Sequence, residues 1–187
     1  KIRTDGKIRT ISLPEAFHFH GHSCPGLTVT FRALQYGLLL LFDKEVPAPQ
    51  DLAIVARTPL SGGLDLLDLV MTGEKRERKT YPPDGMKSDR NKIIFTLYRK
   101  STSTAVDIQL KPEHYPKDFF EYKKKQAAKK LTPEEWQVLH GYMKGMILKF
   151  PTLSFEDLFD KPQPYKTIMW GSLAPAHNKP PTLEGDD

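Results

Sequence analysis

The sequence predicts an α+β fold, an antiparallel sheet packed on one buried central helix, with a helical extension on the C-terminal side. Three observations carry this. Leu27 to Phe42 is apolar on almost every helical face, so a helix there needs cover all round. "KIIFTLYR" (92–99) and "TAVDIQL" (104–110) alternate apolar and polar residues and are joined by "KSTS", the pattern of an antiparallel hairpin. Thr132, Pro133 and Glu135 make a T-x-x-E capping box with proline in the first turn, the start of a long helix.

The remaining elements follow in chain order. Residues 1–16 are polar and mixed. In "FHFHGHSCPG" (17–26), Phe17 and Phe19 alternate with His18 and His20, which predicts a short extended stretch or turn. Pro25 suits the first position of the central helix, with Cys24 as the residue before it. "DLAIVAR" (51–57) reads as a buried strand, "TPLSGG" (58–63) as a turn, and "LDLLDLVMTG" (64–73) as a short helix closed by Gly73. The charged "EKRERKTYPPDG" (74–85) contains a turn at "YPPDG".

"PKDFFEYKKKQAAKK" (116–130) is a basic helix with Phe119, Phe120 and Tyr122 facing the core and its lysines in solvent. Beyond the capping box, Trp136, Leu139, His140, Met143 and Ile147 follow helical spacing, and His140 reads as an interior histidine. Ser154 and Asp157 cap a brief helix at 154–159, and the proline-rich remainder lies extended. The organisation expected is a domain over 1–115, a helical extension over 116–160 and an extended tail over 161–187.

Composition bounds the function. Apolar residues make up 39% and charged residues 27% of the 187, an ordinary globular balance. A net charge of +5 permits anionic partners without requiring them. The basic segments 74–79 and 123–130 could meet phosphates, but the aromatics beside the second read as core-facing and its lysines as a solvated face, so nucleic acid is not an expected partner. The single cysteine forms no internal disulfide and cannot by itself hold a Cys-rich zinc ribbon or an iron–sulfur cluster. With no apolar run long enough for a membrane span, a cytoplasmic protein is expected.

The chemistry concentrates in His20, His22 and Cys24, spaced i, i+2, i+4. Imidazole nitrogen and thiolate sulfur are preferred ligands of zinc and neighbouring transition metals. Cys24 also stands where a helix begins, and the unpaired N–H groups there favour an anionic sulfur. The residues support three readings: a metal site, a reactive cysteine with a histidine base, or structural side chains.

"FHGHSCPGL" (19–27) resembles the signature of the FmdE-like family of formylmethanofuran dehydrogenase subunits, Phe-His-Gly-His-x-Cys-Pro-Gly-Leu ahead of a central helix. The "LAIV" strand and the short helix ending in Thr72–Gly73 stand in the same order, so the resemblance covers roughly residues 13–112. It implies an α+β fold, often dimeric. It also implies a link to the molybdenum or tungsten enzyme that reduces carbon dioxide onto methanofuran. His20, His22, Cys24, Pro25 and Gly26 match the motif, His18 is an additional histidine, and Asp65 stands near the family's aspartate. The family's later cysteines are missing: "TPLSGG" has none, and Gly73-Glu74-Lys75-Arg76 replaces Gly-Cys-Thr-x-Gly-Lys.

The resulting expectation is a site of His20, His22 and Cys24, with His18 and Asp65 as additional candidates. It takes a transition metal, zinc first and nickel or iron as alternatives, and keeps a coordination position open. The expected partners are a second copy of the chain, other proteins of an oxidoreductase complex or a small-molecule ligand. One thiol cannot run a dithiol cycle, so the isolated chain is not expected to turn over formylmethanofuran. The competing reading is a non-catalytic binding or assembly module in which the His/Cys cluster is structural.

Overall fold

The computed structural model of the protein describes residues 1–58, 60–76, 86–87 and 89–169. Its centre is helix α2 (Pro25–Phe42), with Leu27, Val29, Ala33, Leu34, Leu41 and Phe42 buried. Pro25 opens the helix and Cys24 is its N-cap, accepting a hydrogen bond on Sγ from the Leu27 N–H at 3.3 Å. Helix α1 (Leu13–His20) precedes it and helix α3 (Ser61–Met71) packs along it.

Strands β3 (Leu52–Ala56), β4 (Ile94–Arg99), β5 (Thr104–Gln109) and the two-residue β6 (Tyr165–Lys166) form an antiparallel sheet in the order β3-β4-β5-β6. A separate hairpin joins β1 (Ile2–Thr4) to β2 (Lys7–Arg9). The register pairs Phe95 with Ile108 and Leu97 with Val106, and these buried residues meet α2 on one face of the sheet. Each such side chain contributes about 1.5–3 kcal/mol on burial. Among the described residues the other face carries the small buried cluster Ala53, Tyr98 and Ala105 with Met169 packed on it, beside polar contacts such as Thr96 Oγ1 to Asp107 Oδ1. The fold is α+β, with helices on one face of an antiparallel sheet, as the sequence predicts.

Helices α4 (Phe119–Ala127), α5 (Pro133–Lys149) and the short α6 (Phe155–Leu158) complete the described elements. Leu139, Met146, Phe150, Leu158 and Phe159 join the same core as α2. Arg32 ties α2 to this segment, donating from Nη2 to the Leu153 carbonyl at 2.6 Å with its guanidinium 4.3 Å from the Phe155 ring centre. No described helix is long and apolar enough to cross a membrane.

Three expectations are corrected. Residues 17–20 are the last turn of α1, not an extended stretch. Ser12 and Glu15 form a reciprocal capping box with Pro14 in the first turn, and that start signal outweighs a two-residue alternation over four positions. Residues 61–63, expected in a turn, are the first turn of α3, because close packing on α2 overrides the low helix propensity of Gly62 and Gly63. His140 is exposed, stacked on the exposed Trp136 with ring centres 5.0 Å apart. Helix α5 turns Leu139 and Met146 to the core, so the adjacent stripe through Trp136 and His140 faces outward. The expected "YPPDG" turn and residues 170–187 of the tail lie outside the described residues.

Candidate metal site

The corner between α1 and α2 is built by local sequence. Helix α1 ends at His20, and Gly21 closes it at φ +102°, a left-handed conformation that glycine adopts without a Cβ penalty. The chain reverses through His22 and Ser23 and enters α2 at Cys24. One ligand atom each from His20, His22 and Cys24 lies within 4.8 Å of the others. The two imidazole rings are tilted at 38° with centres 4.3 Å apart. His18 lies exposed on α1 and is not among these three.

Asp65, on α3, completes the polar arrangement. Its Oδ2 lies 2.8 Å from His20 Nδ1 and 2.9 Å from Lys75 Nζ. With the proton on Nδ1, His20 donates to Asp65 and leaves Nε2 as a bare acceptor. That Nε2 is buried and has no hydrogen-bond partner among the described residues. A buried polar atom without a partner costs about 1–3 kcal/mol, so it calls for an explanation.

The charges around the corner separate the two histidines. His20 is raised above its ordinary value, first by the neighbouring Cys24, against burial, and then by Asp65. His22 is lowered, by burial and by the positive groups His20, Lys123 and Lys75. Burial pushes the Asp65 carboxyl up, but Lys75 and His20 outweigh it and hold it below the usual range.

These residues fit a transition-metal ion. Zinc bonds nitrogen at about 2.0 Å and sulfur at about 2.3 Å, which spaces tetrahedral ligand atoms roughly 3.5 Å apart. The three ligand atoms stand within 4.8 Å of one another, near that spacing. A carboxylate on the far ring nitrogen fixes a ligating imidazole in the required tautomer, which is the position Asp65 holds. The packing leaves little slack, since a Cβ at Gly62 would stand 2.5 Å from Cys24 Sγ.

The corner opens on a cavity of about 780 Å³ between the starts of α2 and α3 and helices α4 and α5. His22, Cys24 and Gly62 line its inner end, and Tyr115, Phe120 and Lys123 line the side opposite. Sequence reasoning brought His20, His22, Cys24 and Asp65 together and missed Gly62, Lys75, Tyr115 and Lys123. "SGG" was visible only as part of a turn, and Lys123 as one lysine in a solvated run.

A family model described as "FmdE, Molybdenum formylmethanofuran dehydrogenase operon" matches residues 19–160. The match begins at the motif and runs through α4, α5 and α6, beyond the 13–112 that the motifs alone cover. No curated protein matches the chain.

Proposed function

The chain belongs to the FmdE family, and from that membership and the α1–α2 corner we propose that it binds one transition-metal ion through His20, His22 and Cys24. The observation that carries this is the buried, unpartnered Nε2 of His20, held toward its neighbours by Asp65 on the opposite ring nitrogen. Zinc suits a donor set of two imidazoles and one thiolate, with nickel and iron as alternatives. Three protein ligands leave one position of a tetrahedral ion for a ligand, and a bound ion there would supply Lewis acidity. His18 falls outside the donor set.

The chain's own residues hold and orient. Asp65 fixes the His20 tautomer, and Lys75 shares the Asp65 carboxylate. The family description supports an accessory role beside formylmethanofuran dehydrogenase chemistry. The single thiol, which cannot run a dithiol cycle, supports a binding role for the chain on its own. We infer a cytoplasmic homodimer built from a domain over 1–115, a helical extension over 116–160 and a tail over 161–187. Exposed Leu39 on α2 supports a self-contact.

Metal analysis of the purified protein tests the reading. One equivalent of zinc, nickel or iron per chain is expected, lost in Cys24→Ser. Metal-free protein whose thermal stability ignores both added zinc and chelator would refute it.

A further inference from the structure

The cavity in front of the corner has a chemical character of its own. Among the described residues its lining includes Lys123, Lys144, His22 and His140 and no aspartate or glutamate. Two helices begin on it. Pro25 and Gly26 from the first turn of α2 and Ser61 and Gly62 from the first turn of α3 are lining residues, and no side chain caps α3. Helix starts present N–H groups and a positive dipole end to whatever faces them.

A second, independent feature points to a ligand. Tyr115 is 1% exposed, lines the cavity, and its hydroxyl makes no hydrogen bond to a described residue. A tyrosine carries a polar tip on an apolar body, so a buried ring leaves this hydroxyl free to serve a group in the cavity. Burial pushes the Tyr115 phenol further up from a value already well above neutral, so it stands as a donor. Lys123 is solvent-exposed, and its Nζ donates to the neutral Gln126 Oε1 at 2.7 Å and forms no salt bridge among the described residues. Enough protein surrounds its head that desolvation lowers its pKa, partly offset by Cys24. Phe120, Met143 and Ile147 supply the apolar wall, with Phe120 stacked on Tyr115 at 5.2 Å.

We propose that this cavity is the ligand chamber of the metal corner and takes a small organic carboxylate with an apolar or aromatic body. The carboxylate faces Lys123, the Tyr115 hydroxyl and the open metal position, and the body lies on Phe120, Met143 and Ile147. At about 780 Å³ the cavity is in the size range of small-molecule sites. A cationic ligand would meet two lysines with no carboxylate among the described lining residues to balance it. The proposal rests on the metal reading for one of the three polar contacts only.

The test is calorimetric titration of the full chain, zinc-loaded and metal-free, with 2-naphthoate and with its neutral counterpart 2-naphthalenemethanol. Zinc-loaded protein is expected to bind one naphthoate at least ~10-fold more tightly than the alcohol, since the carboxylate makes charge-assisted contacts that the alcohol lacks. Lys123→Met should remove about that ~10-fold preference and Lys123→Arg should keep most of it. Metal-free protein should bind naphthoate more weakly, with the same dependence on Lys123. Equal binding of the two compounds, no naphthoate binding, or no effect of Lys123→Met would overturn the chamber. Failure to take up zinc, with Lys123-dependent naphthoate binding intact, would overturn the metal reading and leave the chamber standing.

Discussion

A methyl group at position 62 has nowhere to go. It would stand 2.5 Å from Cys24 Sγ, 2.9 Å from Leu27 Cβ and 3.1 Å from the Leu27 backbone nitrogen. Gly62→Ala should therefore destabilise the protein by about 1–3 kcal/mol, the usual scale of overpacking, and weaken zinc binding together with stability. Thermal melts and zinc titrations check both; an unchanged melting temperature would show that α3 can shift freely. The histidines allow a sharper test in metal-free protein. His20 is raised and His22 lowered relative to 6.5, so ring titration by NMR should give one midpoint above that value and one below it. The sign for stability follows from the raised group. The His20 contribution is complete below pH 6.5 and disappears as the pH rises through its raised pKa, while His22 works in the opposite direction. A single shared midpoint would contradict the arrangement. Asp65→Asn should bring the His20 midpoint down and cost ~10–100-fold in zinc affinity, whereas His18→Ala should cost nothing measurable. The donor trio was legible because its ligands are neighbours in the chain. The residues that shape it, Gly62, Tyr115 and Lys123, arrive from distant segments, and their types alone carry no signal of arrival.

Among the elements, α1 and α5 begin with the same device and should fail differently. Ser12→Ala removes the cap of the helix that ends in His20, and Thr132→Ala removes the cap of a helix that contributes no metal ligand. Each should cost about 1 kcal/mol of stability. Only Ser12→Ala should also lower zinc affinity, because α1 carries His20 into the corner. Equal zinc affinity in both variants would separate the site from α1. The hairpin, the central helix and α5 could be read directly because period and capping agree there. Helix α1 was obscured because its capping box competes with a brief alternation, and the face that α5 buries depends on rotation about its axis, which spacing alone leaves open between adjacent stripes.

For the whole molecule, α2 draws most of its cover from the sheet, α3 and α5, and yet leaves Leu39 48% exposed. A mass of two chains by light scattering at micromolar concentration is the expected outcome, and a Leu39→Glu variant should shift it toward one chain; a wild-type monomer would remove the homodimer. The compactness of the donor trio has a consequence for synthesis. His20, His22 and Cys24 lie within one short stretch, so bringing them together closes a very small loop whether or not the sheet has formed. On the proposed metal reading, the emerging polypeptide would capture an ion before β4 and β5 exist, and the finished fold would add what Asp65 and desolvation supply. A peptide of residues 15–30 should bind zinc within about 100-fold of the full chain. For the same reason the ion should raise the melting temperature less than its affinity suggests, because the unfolded chain binds it too.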